Sequence, residues 1–244
     1  MKIKKMVLMG CVLLACVSVF AAPVEVATYQ KLEADAREPV LMLGDSMMRL
    51  LSRAMEKALK KEGIEASSYT SLGSGLARLD ALDWFAKIEE MMTERKPATV
   101  VITLGANDRQ PLKDASGNVF QFGTDAWRAE YGSRIGRAMD ALIQHGAKRV
   151  VWLCLPDMKE HIQQTFAEMA NGLYAEQVAV GTRKDQVVLF DTRATVSRVP
   201  GKYSAYMMSP RGEALTVRDQ DGVHLTMVGA RLVAETLVET FWGK

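Results

Sequence analysis

Five strand candidates separated by segments with helical spacing constrain the fold of this chain more than any other feature. The candidates are Pro39–Gly44, Ile64–Ser71, Thr99–Gly105, Arg149–Leu155 and Gln186–Asp191. Helical patterns lie between and after them, at residues 47–62, 80–95, 125–146, 158–182 and 226–242. Short strands that alternate with amphipathic helices build a parallel sheet covered on both faces. We therefore expect one α/β domain, a flavodoxin-like three-layer α/β/α sandwich with about five parallel strands.

Two long stretches fit neither a strand nor a helix, and both follow the end of a predicted strand. They are Arg109–Thr124 and Ala194–Gly222, and each contains several Gly and Pro residues. Loops of this length in a compact domain are usually functional or mobile. Ligands bind at the carboxyl edge of open parallel sheets, so we expect the functional site at that edge.

The N-terminus has the pattern of a secretory signal peptide. Three lysines precede an apolar run at Met6–Phe20, which ends in small residues. A basic start, an apolar middle and a small-residue end predict cleavage after Ala21. We expect a periplasmic or secreted protein with a signal peptide at residues 1–21, a polar lead-in at 22–38 and the folded domain at 39–244.

Retention at the membrane is the alternative fate of this segment. The apolar run is short for a span of ~20 residues. However, Leu13–Cys16 resembles a bacterial lipobox, which would leave a lipid on Cys16. After cleavage at residue 21, only Cys154 remains of the three cysteines. No intrachain disulfide can then form, and the apolar neighbours of Cys154 predict a buried, unreactive thiol.

Charge and motif content argue against nucleic acid, nucleotides and metals as partners. The formal net charge is +2, but removal of the three leader lysines leaves 28 basic residues against 29 acidic ones. Such a charge balance does not indicate a basic surface that would bind nucleic acid. Gly73 and Gly75 form half of a dinucleotide fingerprint, yet Arg78 stands where its third glycine belongs. No P-loop and no metal-ligand spacing is evident, so we expect no cofactor.

A serine stands where the first predicted strand turns into a helix, in Gly44-Asp45-Ser46. This location puts the Ser46 hydroxyl at the carboxyl edge of the sheet and its N–H at a helix N-terminus. A free N–H there can stabilise a developing oxyanion. The alternative role for Ser46 is that of a helix N-cap.

A histidine with a neighbouring carboxylate lies just before the last predicted helix, in Asp221-Gly222-Val223-His224. A serine hydroxyl needs a base to become a nucleophile, and the base needs a third group to orient it. An Asp three residues before a His can turn back onto the distal ring nitrogen. His145 and His161 lie at predicted helix ends, where simpler roles suffice. The alternative for His224 is an ordinary loop histidine.

Two further segments at strand ends can supply hydrogen bonds to an oxyanion. Asn107 follows the third predicted strand, where its amide N–H can point at an oxyanion. Gly73 and Gly75 follow the second strand, where a glycine lets a backbone N–H approach a substrate closely. Ordinary turn chemistry is the alternative for Asn107. Together the segments supply the nucleophile, base, orienter and oxyanion donors that acyl transfer needs.

Four short motifs resemble the four blocks of the SGNH/GDSL hydrolases in their order along the chain. They are Gly-Asp-Ser, a glycine, Gly-x-Asn-Asp and Asp-x-x-His, and they extend from residue 43 to residue 224. The resemblance implies roles for five residues: nucleophile Ser46, base His224, its orienter Asp221, and oxyanion donors Gly75 and Asn107 beside the Ser46 N–H. Gly73 also matches the second block. The family often has a further glycine shortly after its serine, where this chain has Met47–Leu50.

Finer features narrow the resemblance to an exported, poorly characterised bacterial branch that is often linked to acyl groups of the cell envelope. They are Ser74–Arg78, Asp83-Trp84, Gly105–Gln110, Phe122-Gly123 and Trp127. The resemblance implies an exported serine esterase for short-chain esters, above all acetyl esters, with an acylated cell-envelope glycan as the natural substrate.

Three other functions stay open: an envelope polysaccharide or peptidoglycan O-acetyltransferase, a lipase or thioesterase, and a non-catalytic glycan-binding envelope protein. We expect Arg78, Arg109 and Arg218 near the site, where they would bind an anionic or polar carrier such as a cell-wall glycan. Ordinary solvated surface charge is the alternative for these arginines.

Overall fold

A computed structural model describes residues 38–114 and 116–243 of the 244-residue chain. The predicted signal peptide, the lipobox-like segment and all but the last residue of the lead-in therefore lie outside the described residues. Within the described part, no helix is both long and apolar enough to cross a membrane.

A five-stranded parallel sheet forms the centre of the domain, as the sequence predicts. Its strands are β1 (Val40–Gly44), β2 (Ala66–Thr70), β3 (Thr99–Thr103), β6 (Arg149–Leu153) and β7 (Val187–Phe190); β4 (Leu112–Lys113), β5 (Val119–Phe120), β8 (Tyr206–Met208) and β9 (Ala214–Thr216) lie outside it. The order across the sheet is β2-β1-β3-β6-β7, and every neighbouring pair is parallel. This is the flavodoxin-like order.

Helices cover both faces of the sheet, which confirms the three-layer architecture. The helices are α1 (Ser46–Lys61), α2 (Trp84–Arg95), α3 (Asp125–Gln144), α4 (His161–Val178), α5 (Arg183–Gln186), α6 (Arg193–Val196) and α7 (Met227–Trp242). Alternate side chains of β3 enter two separate apolar cores. Val100 and Ile102 pack with α2, α3 and α4, whereas Val101 packs with α1 and α7. This alternation follows from the two-residue period of a strand.

Helix boundaries differ from the predicted ones where a side chain caps a helix or holds the preceding segment. Helix α2 begins at Trp84 rather than residue 80, because Asp83 accepts hydrogen bonds from the N–H groups of Phe85 and Ala86. Helix α4 begins at His161 rather than residue 158, and Asn171 holds the backbone at Leu155 through both its N–H and its carbonyl. Helix α7 begins at Met227, one residue after the start of the predicted helical pattern, and Thr226 is its N-cap.

The two long loops are not irregular throughout, and this part of the prediction is wrong. The first contains the antiparallel pair β4–β5, and the second contains α6 and the pair β8–β9. Two- and three-residue strands are too short to leave a detectable alternation in the sequence.

Gly44 lies where β1 passes closest to its neighbours, and this closeness gives a stability prediction. A Cβ there would overlap the carbonyl oxygen of Thr103 and would lie 2.7 Å from the Cβ of Met48. We expect Gly44→Ala to lower the free energy of unfolding by ~1–3 kcal/mol, as overpacking does. Urea unfolding measures it.

Gly172→Ala is the matched control, because Gly172 lies inside α4 with open space around its Cα. In a helix interior alanine is more stable than glycine by roughly 0.5–1 kcal/mol, so this variant should be slightly stabilised. Equal urea midpoints for the two variants would contradict the packing described at Gly44.

Candidate active site

Ser46 is the first residue of α1, directly after β1, and its side chain is not the helix cap. Asp45 is the N-cap, because its Oδ1 accepts a hydrogen bond from the N–H of Met47 at 2.8 Å. The alternative that Ser46 merely caps the helix is therefore wrong. Its N–H lies in the first helical turn, where no carbonyl of the helix can accept it.

His224 and Asp221 form a hydrogen-bonded line that ends at the Ser46 hydroxyl. Nε2 of His224 lies 2.8 Å from Oγ of Ser46, and Nδ1 lies 2.5 Å from Oδ2 of Asp221. The other carboxylate oxygen of Asp221 accepts the N–H of Val223 at 2.8 Å and the N–H of His224 at 3.0 Å. The backbone thus fixes the carboxylate, and the carboxylate fixes the ring.

The same contacts keep Asp221 ionised. Partial burial would raise the pKa of Asp221, but the hydrogen bonds from the His224 ring and from the N–H groups of Val223 and His224 lower it to about 2. An ionised Asp221 holds the ring proton on Nδ1, which leaves Nε2 as the acceptor for the serine proton.

The predicted oxyanion donors lie on two neighbouring loops. Nδ2 of Asn107 donates to the carbonyl oxygen of Ser74 at 2.9 Å, which ties the loop after β3 to the loop after β2. Gly75 is buried in the latter loop, and its N–H meets no acceptor among the described residues. Gly73 is exposed, with φ +69°. The N–H of Gly73 meets no acceptor there either, so burial is what distinguishes Gly75 from Gly73 and favours it as the predicted donor.

A buried carboxylate and a buried guanidinium hold this loop from opposite sides. Asp108 accepts the N–H of Leu76 and the N–H of Ala77, both at 2.9 Å. Arg134, only 1% exposed, donates to the carbonyl oxygen of Leu76 at 2.9 Å. A Cβ on Gly75 would overlap Oδ1 of Asp108, so a glycine is required for the carboxylate to come this close.

Asp45 makes the corresponding connection on the other side of Asn107. Its Oδ2 accepts the N–H of Gly105 at 3.3 Å, which joins the start of α1 to the loop after β3. Burial and the neighbouring charge of Asp108 raise the pKa of Asp45 to about 7, despite the N–H groups it accepts. Burial likewise raises the pKa of Asp108, against the hydrogen bonds from Ala77 and Tyr131.

A protein family described as "Protein of unknown function (DUF459)" matches residues 39–240. The chain belongs to this family. A lipase/acylhydrolase from Enterococcus faecalis shares its fold, with a TM-score of 0.57, 17% identity and coverage of 83% of this chain and 94% of the other. So does a member of the lipolytic protein G-D-S-L family from Veillonella parvula, with a TM-score of 0.56, 14% identity and coverage of 83% and 97%. No curated relative matches.

These likenesses confirm the expected SGNH/GDSL fold for this DUF459 chain. The sequence motifs that led to the expectation lie together at the carboxyl edge of the sheet, on the loops after β1, β2 and β3 and before α7. The catalytic roles of the individual residues remain predictions.

The three arginines expected at the site of the DUF459 chain have different surroundings. Arg218 is 2% exposed and donates to the carbonyl oxygens of Asp157, Gly222 and Val223 at 2.5, 3.1 and 2.7 Å. The prediction that Arg218 faces a carrier is wrong, because its guanidinium is buried against these carbonyls. It instead holds the turn that carries His224.

Arg78 and Arg109 are both exposed, but only Arg109 borders a cavity of the site. The guanidinium of Arg78 forms two hydrogen bonds with Asp80, at 2.8 and 2.9 Å. Arg109 lines a cavity of ≈190 Å³ together with Asn107. A second cavity, of ≈200 Å³, is lined by Ser46 and His224 and also by Arg49. Arg49 is not among the site residues predicted from the sequence, although its position three residues after Ser46 puts both on one helix face.

Cys154 is 4% exposed, and burial raises the pKa of its thiol to about 12. This confirms the predicted burial, and a thiol with a raised pKa is a poor nucleophile. Within residues 38–114 and 116–243, no group of three His, Cys, Asp or Glu side chains could hold a metal ion.

The raised pKa of Asp45 predicts how stability changes with pH. The unfolded chain has the ordinary Asp pKa of about 3.9, so between pH 4 and 7 the folded state holds this proton more tightly. The contribution of Asp45 to stability therefore falls as pH rises through this range. Asp45→Asn keeps a neutral side chain at every pH. Its loss of unfolding free energy, measured in urea, should be larger at pH 4 than at pH 7.

Asp83→Asn is the matched control, since Asp83 also caps a helix but is exposed. It removes an exposed N-cap rather than a buried carboxylate, so its losses at pH 4 and pH 7 measure what the removal of a cap alone contributes. A loss for Asp45→Asn that grows with pH would contradict the raised pKa.

Proposed function

We propose that this chain is an exported serine esterase that hydrolyses short-chain esters through Ser46, His224 and Asp221. The observation that carries the proposal is the 2.8 Å contact between Nε2 of His224 and Oγ of Ser46. Asp221 lies behind the ring at 2.5 Å. An oriented Ser-His-Asp line at the carboxyl edge of a parallel sheet has the geometry of nucleophilic acyl transfer.

In the first step, Oγ of Ser46 attacks the ester carbonyl carbon while Nε2 of His224 takes the serine proton. The carbonyl oxygen becomes an oxyanion. Hydrogen bonds to it would come from the N–H of Ser46, the N–H of Gly75 and Nδ2 of Asn107. The tetrahedral intermediate collapses when His224 gives its proton to the alcohol oxygen, which leaves with the bonding electrons. The acyl group stays on Ser46.

In the second step, His224 takes a proton from water, and the hydroxide oxygen attacks the acyl-enzyme carbonyl carbon. Collapse of the second intermediate releases the carboxylic acid and returns the proton to Ser46 Oγ. Water and ester are thus converted to acid and alcohol with no change of oxidation state. None of these steps requires a metal ion.

The size of the cavity beside Asn107 supports short acyl groups. At ≈190 Å³ it is smaller than the ≈300–1,000 Å³ typical of sites for drug-sized ligands. Similarity in fold to an Enterococcus lipase/acylhydrolase supports ester chemistry in general. The leader pattern at residues 1–21 supports export, and an acylated cell-envelope glycan is the substrate class that we propose on that ground.

Hydrolysis of p-nitrophenyl esters from acetyl to octanoyl tests the proposal. We expect activity on the short chains, a steep decline toward octanoyl, and loss of the activity in Ser46→Ala, which removes the nucleophile. A fluorophosphonate should label the unmodified protein on Ser46 and leave the variant unlabelled. Folded protein that neither hydrolyses these esters nor reacts with the phosphonate would exclude a serine esterase.

Asn107→Ala tests the oxyanion hole separately. Removal of one oxyanion donor costs ~10²–10³ in kcat, so the variant should fold, with KM little changed and kcat reduced by about that factor. Asn118→Ala is the control, because Asn118 is exposed, lies like Asn107 between β3 and α3, and pairs with Asp114. Full activity in Asn107→Ala would refute the assignment of its amide.

A further inference from the structure

The cavity beside Asn107 has an apolar wall and one ionisable group. Leu155, Met158 and Phe166 are buried in the domain and border it. Val223, the neighbour of His224, also lines it. Of its lining residues only Arg109 is ionisable. A hydrocarbon group could pack against the apolar wall of the cavity, and a negatively charged group could pair with Arg109.

Arg109 is held over this cavity without an acidic partner. No salt bridge to Arg109 occurs among the described residues. Its guanidinium lies over the ring of Phe122, 6.0 Å from the centroid. Phe122 in turn packs against Phe166 in the cavity wall, with ring centroids 5.9 Å apart. The cation is therefore positioned by aromatic packing, and its hydrogen-bond donors stay available.

Two acidic residues, Asp108 and Asp157, adjoin cavity-lining residues in the sequence, and the carboxylates of both accept hydrogen bonds from other segments. Asp108 accepts the N–H groups of the loop after β2. Asp157 accepts the hydroxyl of Ser197 at 2.7 Å and the N–H of Gly201 at 3.0 Å. Gln163, in the first turn of α4, lines the cavity, so the positive end of this 18-residue helix lies there too. Glu160 precedes that helix and is exposed.

The proposed mechanism decides which part of an ester reaches this cavity. His224 must give its proton to the leaving oxygen, so the alcohol lies beside Nε2, in the cavity that Ser46 and His224 line. The acyl group then extends to the other side of the oxyanion hole, past Asn107 and toward Arg109.

We infer that the Arg109 cavity binds a short acyl chain ending in a carboxylate, as in the half-ester of a four- or five-carbon dicarboxylic acid. This inference rests on the proposed esterase function and names its acyl class. Hydrolysis would release the free dicarboxylate and the alcohol, and water supplies the only other atoms. Arg109 is the residue that sets the preference, because a guanidinium binds a carboxylate through two hydrogen bonds.

Two p-nitrophenyl esters of glutarate test the inference, one with a free distal carboxylate and one with that carboxylate capped as a methyl ester. Rates with Ser46→Ala supply the uncatalysed background for each ester. We expect kcat/KM of the unmodified protein to favour the free carboxylate by roughly tenfold or more, as a charge-assisted hydrogen bond allows. Arg109→Gln should abolish this preference, because its kcat/KM should fall roughly tenfold more on the free carboxylate than on the capped ester.

Arg78→Gln is the matched control, because it removes the same charge from an exposed arginine that lines neither cavity. It should keep the preference. Absence of a preference in the unmodified protein, or its survival in Arg109→Gln, would overturn the inference while the esterase proposal stands.

Direct binding separates failure of the inference from failure of the proposed function. If no ester is hydrolysed, the esterase proposal is refuted, and calorimetric titration still tests the cavity. Glutarate should bind Ser46→Ala more tightly than neutral glutaramide does, and Arg109→Gln in that background should remove the difference. Equal affinities for the two compounds in Ser46→Ala would overturn the inference.

Discussion

Two buried carboxylates connect the loops on which the whole candidate site depends. Asp45 precedes Ser46 and accepts the N–H of Gly105, and Asp108 follows Asn107 and accepts the N–H groups of Leu76 and Ala77. The sheet alone brings three strand ends to one edge, but it leaves their loops free. These hydrogen bonds fix the loops relative to one another, so the three proposed oxyanion donors have a defined spacing before substrate arrives.

The same arrangement limits the negative charge behind the proposed oxyanion donors. Both carboxylates are fully buried, and the pKa of Asp45 is raised to about 7. At neutral pH the pair therefore carries less than two negative charges on average. Full charges on both would oppose an oxyanion nearby, because Coulomb energies are large where water is excluded. A protonated carboxyl group retains its acceptor oxygen for the backbone and removes part of that repulsion.

The sequence predicts the sheet well because the signals for strands and helices lie within short runs of neighbouring residues. The five strands, the order of layers and the cap at Thr226 follow from apolar periods and single capping residues. Ser46, Asn107 and His224 are also visible, since each stands directly beside a predicted strand or helix. The hydrogen bond between Asp45 and Gly105 cannot be predicted from such local signals, because those two residues are 60 positions apart. Nothing in a periodic pattern distinguishes an aspartate that caps a helix from one that also accepts a distant N–H.

Arg218 shows why the surroundings of an arginine are hard to predict from the sequence. A charged residue in a long loop is usually solvated, and no local signal marked this one as buried. Its burial is decided by three carbonyl oxygens from two separate loops. Asp157, which supplies one of them, is itself fixed by Ser197 and Gly201 in the long segment after β7. Hydrogen bonds to Asp157 and Arg218 thus connect that segment to the turn that carries His224. The position of the proposed base therefore depends on residues that contact neither Ser46 nor the cavities.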